Sequence, residues 1–120
     1  MFPEGEVPAP IKNSSFMGDF KAFGISLNRF MSFTRMPIII YYGDNVPKTP
    51  CDEPHKDYWR CAMQMANLWA ETVNKHGGDV KVVYLPDINV HGNTHFPFSD
   101  RNNEEIADIL ASWLKEKGLD

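Results

Sequence analysis

A chain of 120 residues, 42% hydrophobic and 12% aromatic, holds enough apolar material to bury a core in one small domain. Its formal net charge of −4 leaves no basic stripe for a phosphate backbone or an anionic membrane surface, so no nucleic-acid partner is expected and a neutral or apolar small molecule fits better. The longest purely apolar run, residues 38–42, is far shorter than the roughly 20 residues of a membrane-spanning helix, so no membrane span is expected.

Taken in chain order, residues 1–20 hold Pro3, Gly5, Pro8, Pro10 and Gly18 among polar neighbours, the composition of an irregular connection. Met1 and the residues after it, Phe2, Pro3, Glu4, Gly5 and Glu6, show neither the basic nor the apolar region of a signal peptide. Over 19–33 the apolar residues Phe20, Phe23, Leu27 and Phe30 recur at spacings of three and four, which predicts a short amphipathic helix despite Gly24. Residues 1–35 therefore read as a connection that carries a short helix.

Residues 36–42 are mostly β-branched or aromatic, continuously apolar and closed by Gly43, Asp44 and Asn45. They read as a strand covered on both faces, as in a parallel sheet. After a loop with Pro47, Pro50 and Pro54, a helix is predicted over 57–76. Tyr58, Cys61, Met65, Leu68, Trp69, Thr72 and Val73 form its apolar stripe, and Gly77-Gly78 stops it. Met63, Met65 and Trp69 read as core packing rather than a cofactor box. Cys51 and Cys61 are too few for a disulfide framework.

Residues 80–85 form a second predicted strand, ended by Pro86, and 87–100 a polar loop holding His91 and His95. The last helix starts near Asn102, where Glu105 makes a capping-box-like pair, and runs through Ile106, Ile109, Leu110, Trp113 and Leu114 to Gly118. Asp100 and Arg101, just before it, read as local capping and pairing residues.

Strand, helix, strand, loop and helix over 36–120 is a βαβ pattern, implying an α/β fold with a parallel sheet and a right-handed crossover. Two strands alone do not make a stable parallel sheet. Residues 1–120 are therefore expected to be the incomplete, C-terminal portion of a single α/β domain. The alternative is a non-catalytic half that completes its sheet with a partner chain or as a homo-oligomer. A flavodoxin-like ligand-binding domain fits less well, because no glycine-rich phosphate loop follows either strand.

In open α/β sheets the working residues sit on loops that leave the carboxyl ends of strands. The loop after the first strand carries Asp44; the loop after the second carries His91 and His95. An acid after one strand and a histidine after the next, near the C-terminus, is the chain order of an α/β-hydrolase triad. The segments 37–47 (PIIIYYGDNVP), 73–78 (VNKHGG) and above all 91–103 (HGNTHFPFSDRNN) resemble the C-terminal part of a microbial serine carboxylesterase subfamily of the α/β-hydrolase superfamily. The resemblance covers nearly the whole chain.

The resemblance implies a serine that attacks a small-molecule ester and a histidine in the Gly-Asn-Thr-His loop that carries the proton; here that histidine is His95. Asp44 is the acid within reach, or else a turn residue that bonds its own loop. In esterases of this type the acid can instead be a glutamate after an earlier strand, shortly before a Pro-rich segment, which would place it upstream of Met1. Glu4 and Glu6 lie near that region but follow no visible strand and are not assigned.

His95 is preferred over His91 because Phe96, Pro97 and Phe98 offer an apolar wall beside it that would exclude water and face substrate, whereas His91 is flanked by glycine. As the alternative, His95 is a hydrogen-bonded loop histidine. No Gly-x-Ser-x-Gly occurs. The nearest match, around Ser26, lacks the second glycine, and no strand precedes it in the sequence pattern. The nucleophile is expected upstream of Met1. His91 and His95 have the spacing of paired metal ligands on a helix, with Asp87 or Asp100 as a third, but Gly92-Asn93 disfavours a helix there. No metal and no cofactor are expected.

Overall fold

The computed structural model describes residues 1–14 and 18–120. Residues 15–17 of the expected connection lie outside the described residues. In chain order the elements are β1 (Phe2–Pro3), β2 (Gly24–Ile25), α1 (Leu27–Phe30), β3 (Pro37–Tyr42), α2 (Pro54–Lys75), β4 (Asp79–Tyr84) and α3 (Asn103–Glu116). Turns of 3-10 helix follow α1 at Met31–Arg35 and occupy Leu85–Ile88 and Pro97–Ser99 between β4 and α3.

β3 and β4 run parallel and in step, from Pro37 opposite Asp79 to Tyr42 opposite Tyr84. The unbroken apolar run of β3 follows from what covers it. Successive side chains point to opposite faces of a strand. Ile38, with Val80 and Val82 of β4, packs on Ala70 and Val73 of α2 and on Phe30. Ile39 and Tyr41, with Val83, pack on the other face with Ile106 and Ile109 of α3 and with Leu85 and Val90. The expected arrangement of parallel strands flanked by helices is the one observed.

α2 begins at Pro54, three residues before the predicted start, because proline suits a first helical turn, where its missing N–H has no partner to lose. It ends in a Schellman motif. Gly77, at φ +94°, lets the Gly78 amide reach the Val73 carbonyl (2.9 Å) and the Gly77 amide reach Asn74 (3.0 Å). The Asn74 side chain then bonds both the amide and the carbonyl of Val80, docking the end of α2 onto the start of β4.

The segment before β3 departs from expectation. The predicted helix over 19–33 shrinks to Leu27–Phe30 and its 3-10 extension, because the residues ahead of it find extended partners. Phe20 bridges Ile11, and Gly24–Ile25 pairs in parallel with Phe2–Pro3. Ser26 starts the helix instead, its hydroxyl facing the Arg29 amide. A two-residue strand thus precedes Ser26, and another precedes Glu4, in both cases too short to leave a periodic signature.

A buried ion pair ties this segment to α2. Asp57 and Arg60 are both buried, with Nε–Oδ1 2.6 Å, and every other polar atom of the pair is used. Asp57 also accepts the Ser14 amide (2.8 Å) and the Cys51 amide (3.2 Å), and Arg60 donates to the Lys12 carbonyl (2.9 Å) and to Gln64. The Arg60 hydrogen bond outweighs the cost of burial and, helped by the two amides, holds the Asp57 carboxyl far below the usual carboxylate range. A depressed folded-state pKa contributes stability that is complete above the unfolded value of about 3.9 and is lost as pH falls toward the folded value. Asp57→Asn strands a buried guanidinium, so it should lower unfolding free energy by about 3 kcal/mol at pH 7 in urea titration, with the gap to wild type narrowing below about pH 4. Equal midpoints at pH 7 would show that the pair contributes nothing.

Candidate active site

β3 and β4 are parallel neighbours, so both deliver their following loops to the same edge of the sheet. The two loops are stitched together there. Asp44 accepts the amides of Gly92 (2.8 Å) and Asn93 (2.9 Å), and Asn45 donates its own amide and its side chain to the Asn93 carbonyl (3.1 and 3.0 Å). Gly43 has to be glycine for this approach, because a Cβ there would clash with the carbonyl oxygens of Asn93 and Thr94. Gly92, at φ +86°, takes the turn that follows.

Asn93 is completely buried and fully engaged. It exchanges paired amide bonds with Asn102 (2.7 and 3.1 Å) and donates to Asp100 (3.1 Å). Asp100 also takes the Thr94 amide (2.8 Å) and the Thr94 hydroxyl (3.0 Å). Burial pushes the Asp100 carboxyl up, but these bonds, joined by the nearby His95, prevail and hold it below its ordinary value. The Asp100 side chain therefore turns back onto the loop instead of capping α3. Asn102 occupies the N-cap position, yet its side chain makes no capping bond to the helix backbone and reaches the His91 carbonyl and Asn93 instead.

His95 emerges from this clamp onto the surface. Its ring stacks on Trp59, with centroids 4.6 Å apart and planes at 23°, and touches Phe96 at 4.3 Å. Among the described residues no side chain hydrogen-bonds the ring. It stands between two hollows. One, of about 320 Å³, is lined by Asn45, Val46, His55, Lys56, Trp59 and Thr94. The other, of about 360 Å³, is more apolar and is lined by Ile39, Ile40, Tyr41, Phe96, Pro97 and Phe98. Of the expected wall, Pro97 is buried while Phe96 and Phe98 stand exposed at the rim, Phe98 edge-on to Tyr41.

The structure thus brings Asp44, His91 and His95 to one edge but does not join Asp44 to His95. The Asp44 carboxylate is occupied by two loop amides and faces the exposed His91 ring at 3.6 Å. Residues 91–95 are not helical, so the paired-ligand geometry on a helix face is not formed, and Asp87 pairs with Lys48 (3.0 Å). Ser26 lies elsewhere. Its neighbour Ile25 packs with Ile38 and Val80 at the amino ends of the strands. Glu6 is committed to Lys75 and His76 at the far end of α2.

Sequence reasoning missed three residues here. Trp59 falls off the apolar stripe of α2, and an aromatic on the open side of an amphipathic helix was the available signal. Asn93 carries no local signal and the local signal of Asp100 is that of a helix cap, since the partners of both are set by the folding of the loop and not by local sequence.

No family model matches the chain. A fungal protein named "Probable secreted lipase phiG" (Fungal sp., strain ATCC 74256) is 33% identical over 48 residues, which is 40% of this chain and 13% of the lipase. The fold matches a solved bacterial esterase structure with a TM-score of 0.57 and 28% identity, over 69% of this chain and 24% of the esterase. The chain is therefore structurally similar to a portion of an α/β-hydrolase esterase, and spans about a quarter of its length.

The Asp44 contacts can be checked directly. Charge-assisted hydrogen bonds are worth roughly 1.5–3 kcal/mol each. Asp44→Ala should speed amide exchange at Gly92 and Asn93 by at least about tenfold while β4 amides keep their protection. Unchanged exchange at both would mean that other contacts hold the loop.

Proposed function

We propose that this chain supplies the proton-transferring histidine of a serine carboxylesterase, His95, and that polypeptide outside residues 1–120 supplies the nucleophile. The observation that carries this is the placing of one exposed imidazole at the carboxyl edge of a parallel sheet, on a clamped loop, beside an apolar hollow. The likeness to a bacterial esterase and to a fungal lipase supports the same chemistry.

In the proposed reaction the serine oxygen bonds to the ester carbonyl carbon as His95 takes its proton, and the carbonyl π pair moves onto oxygen. When the tetrahedral species collapses, the bond to the alcohol breaks and His95 returns the proton to it. Water then repeats the sequence to release the acid. The indole face of Trp59 keeps the ring seated through both transfers. Phe96 and Phe98 present apolar surface to the substrate. Asp44 organises the loop rather than orienting the ring, and the orienting acid comes from the same outside polypeptide as the serine.

The open edge of β3 supports the partition between chains or segments. β3 pairs only with β4 among the described residues, and an apolar groove of Phe2, Phe20, Phe33, Ile40, Tyr42 and Trp69 lies beside it. That edge also favours a second reading, in which another copy of the chain completes the sheet and no ester is cleaved. A stable dimer in sedimentation, with no hydrolysis by any longer form, is its signature.

Residues 1–120 alone should turn over no ester. In a longer polypeptide that carries the serine, His95→Ala should lower kcat/KM on a short-chain aryl ester by about 10⁴-fold. Equal rates would remove His95 from the mechanism.

A further inference from the structure

We propose that Asp100 is a positioning residue for His95, holding Asn93 and Thr94 so that the imidazole stays on the face of Trp59. The inference rests on the reading of His95 as the proton carrier, although its structural part can be tested without that reading.

Three donors converge on the Asp100 carboxylate, and all belong to the two residues just before His95. They are the Asn93 side chain (3.1 Å), the Thr94 amide (2.8 Å) and the Thr94 hydroxyl (3.0 Å). The Thr94 oxygen in turn accepts the Phe96 amide (3.1 Å), so the residues on both sides of His95 are fixed through one side chain. The ring has no hydrogen bond of its own to a described residue. Its place is set by this backbone and by the stack on Trp59.

A carboxylate accepts all three donors at once. The amide of Asp100→Asn would turn its N–H toward the Thr94 oxygen, which would then accept instead of donating and leave its own proton without this partner. Asp100 is not the acid that orients the ring, because it makes no hydrogen bond to His95 and its oxygens accept from Asn93 and Thr94 instead. It acts through the loop. A displacement of about 1 Å in a reacting group can cost about 10²-fold in rate.

The test reads the position of His95 first. A ring stacked at 4.6 Å on indole has its protons shifted upfield by the ring current, and Trp59→Leu defines the unstacked value. NMR of the chain should show the His95 ring protons moving at least halfway to that value in Asp100→Asn and in Thr94→Val, while Thr94→Ser, which keeps the hydroxyl, retains the wild-type shift. Should Asp100→Asn fail to fold, the Val and Ser variants at 94 decide the matter. In the serine-carrying polypeptide, Asp100→Asn and Thr94→Val should lower kcat by about 10–100-fold with KM within threefold, and Thr94→Ser should restore it.

Ring shifts that stay wild-type in folded Asp100→Asn, or in Thr94→Val, would overturn the proposal, as would an equal loss in Thr94→Ser. Ring shifts that respond as expected while His95→Ala leaves ester turnover intact would uphold the positioning of His95 and defeat the hydrolase reading alone.

Discussion

Two loops that leave adjacent parallel strands meet here without any regular hydrogen-bond ladder to join them. A backbone amide buried in such a junction without an acceptor costs about 1–3 kcal/mol, more than a made bond contributes. Asp44 from one loop and Asp100 from the other end of the second provide those acceptors, with Asn93 buried between them. Each carboxylate gains charge-assisted bonds and gives direction to the residues it binds. Gly43 makes the approach sterically possible, and the surface position of His95 follows from it.

The sheet beneath explains why the clamp can be rigid. α2 lies on one face and α3 on the other, and each face uses alternate residues of the same two strands. Ile106 and Leu85, both fully buried, anchor the start of α3 and the exit of β4, the two ends between which the His95 loop is strung. At the far end of α2, Asn74 and the Gly77–Gly78 turn fix the entry to β4. The loop is thus held at its base by packing and at its tip by polar bonds. Trp59, one turn into α2, gives the imidazole an aromatic seat that needs no hydrogen bond and leaves both ring nitrogens free for chemistry.

Much of this was legible in the sequence, for physical reasons that differ by element. β3 and β4 were readable because strands buried on both faces must be continuously apolar, and α2 and α3 because a one-sided stripe must recur at three and four. The order of acid and then histidine on successive loops pointed to the sheet edge where Asp44, His91 and His95 gather, but not to the partners that Asp44 takes there. β1 and β2 were not readable, since a two-residue pairing leaves no period and is decided by Phe2 and Ile25 finding cores to enter. The run of Phe20, Phe23, Leu27 and Phe30 imitated a helical stripe, yet Phe20 packs in one cluster, Phe30 in another, and Phe23 is exposed. Asp100 misled for a related reason: an acid just before a helix is a capping residue by local rules, and only the tertiary meeting with Thr94 and Asn93 turns it inward.

In the proposed reaction the clamp presents His95 to a serine on other polypeptide. The most direct measurement is a crystal structure of a serine-carrying longer form inactivated with an aryl phosphonate. The phosphonylated serine oxygen is expected within about 3 Å of the His95 Nε2, with the ring still stacked on Trp59. A labelled serine served by a different histidine, with His95 remote from it, would remove His95 from the reaction.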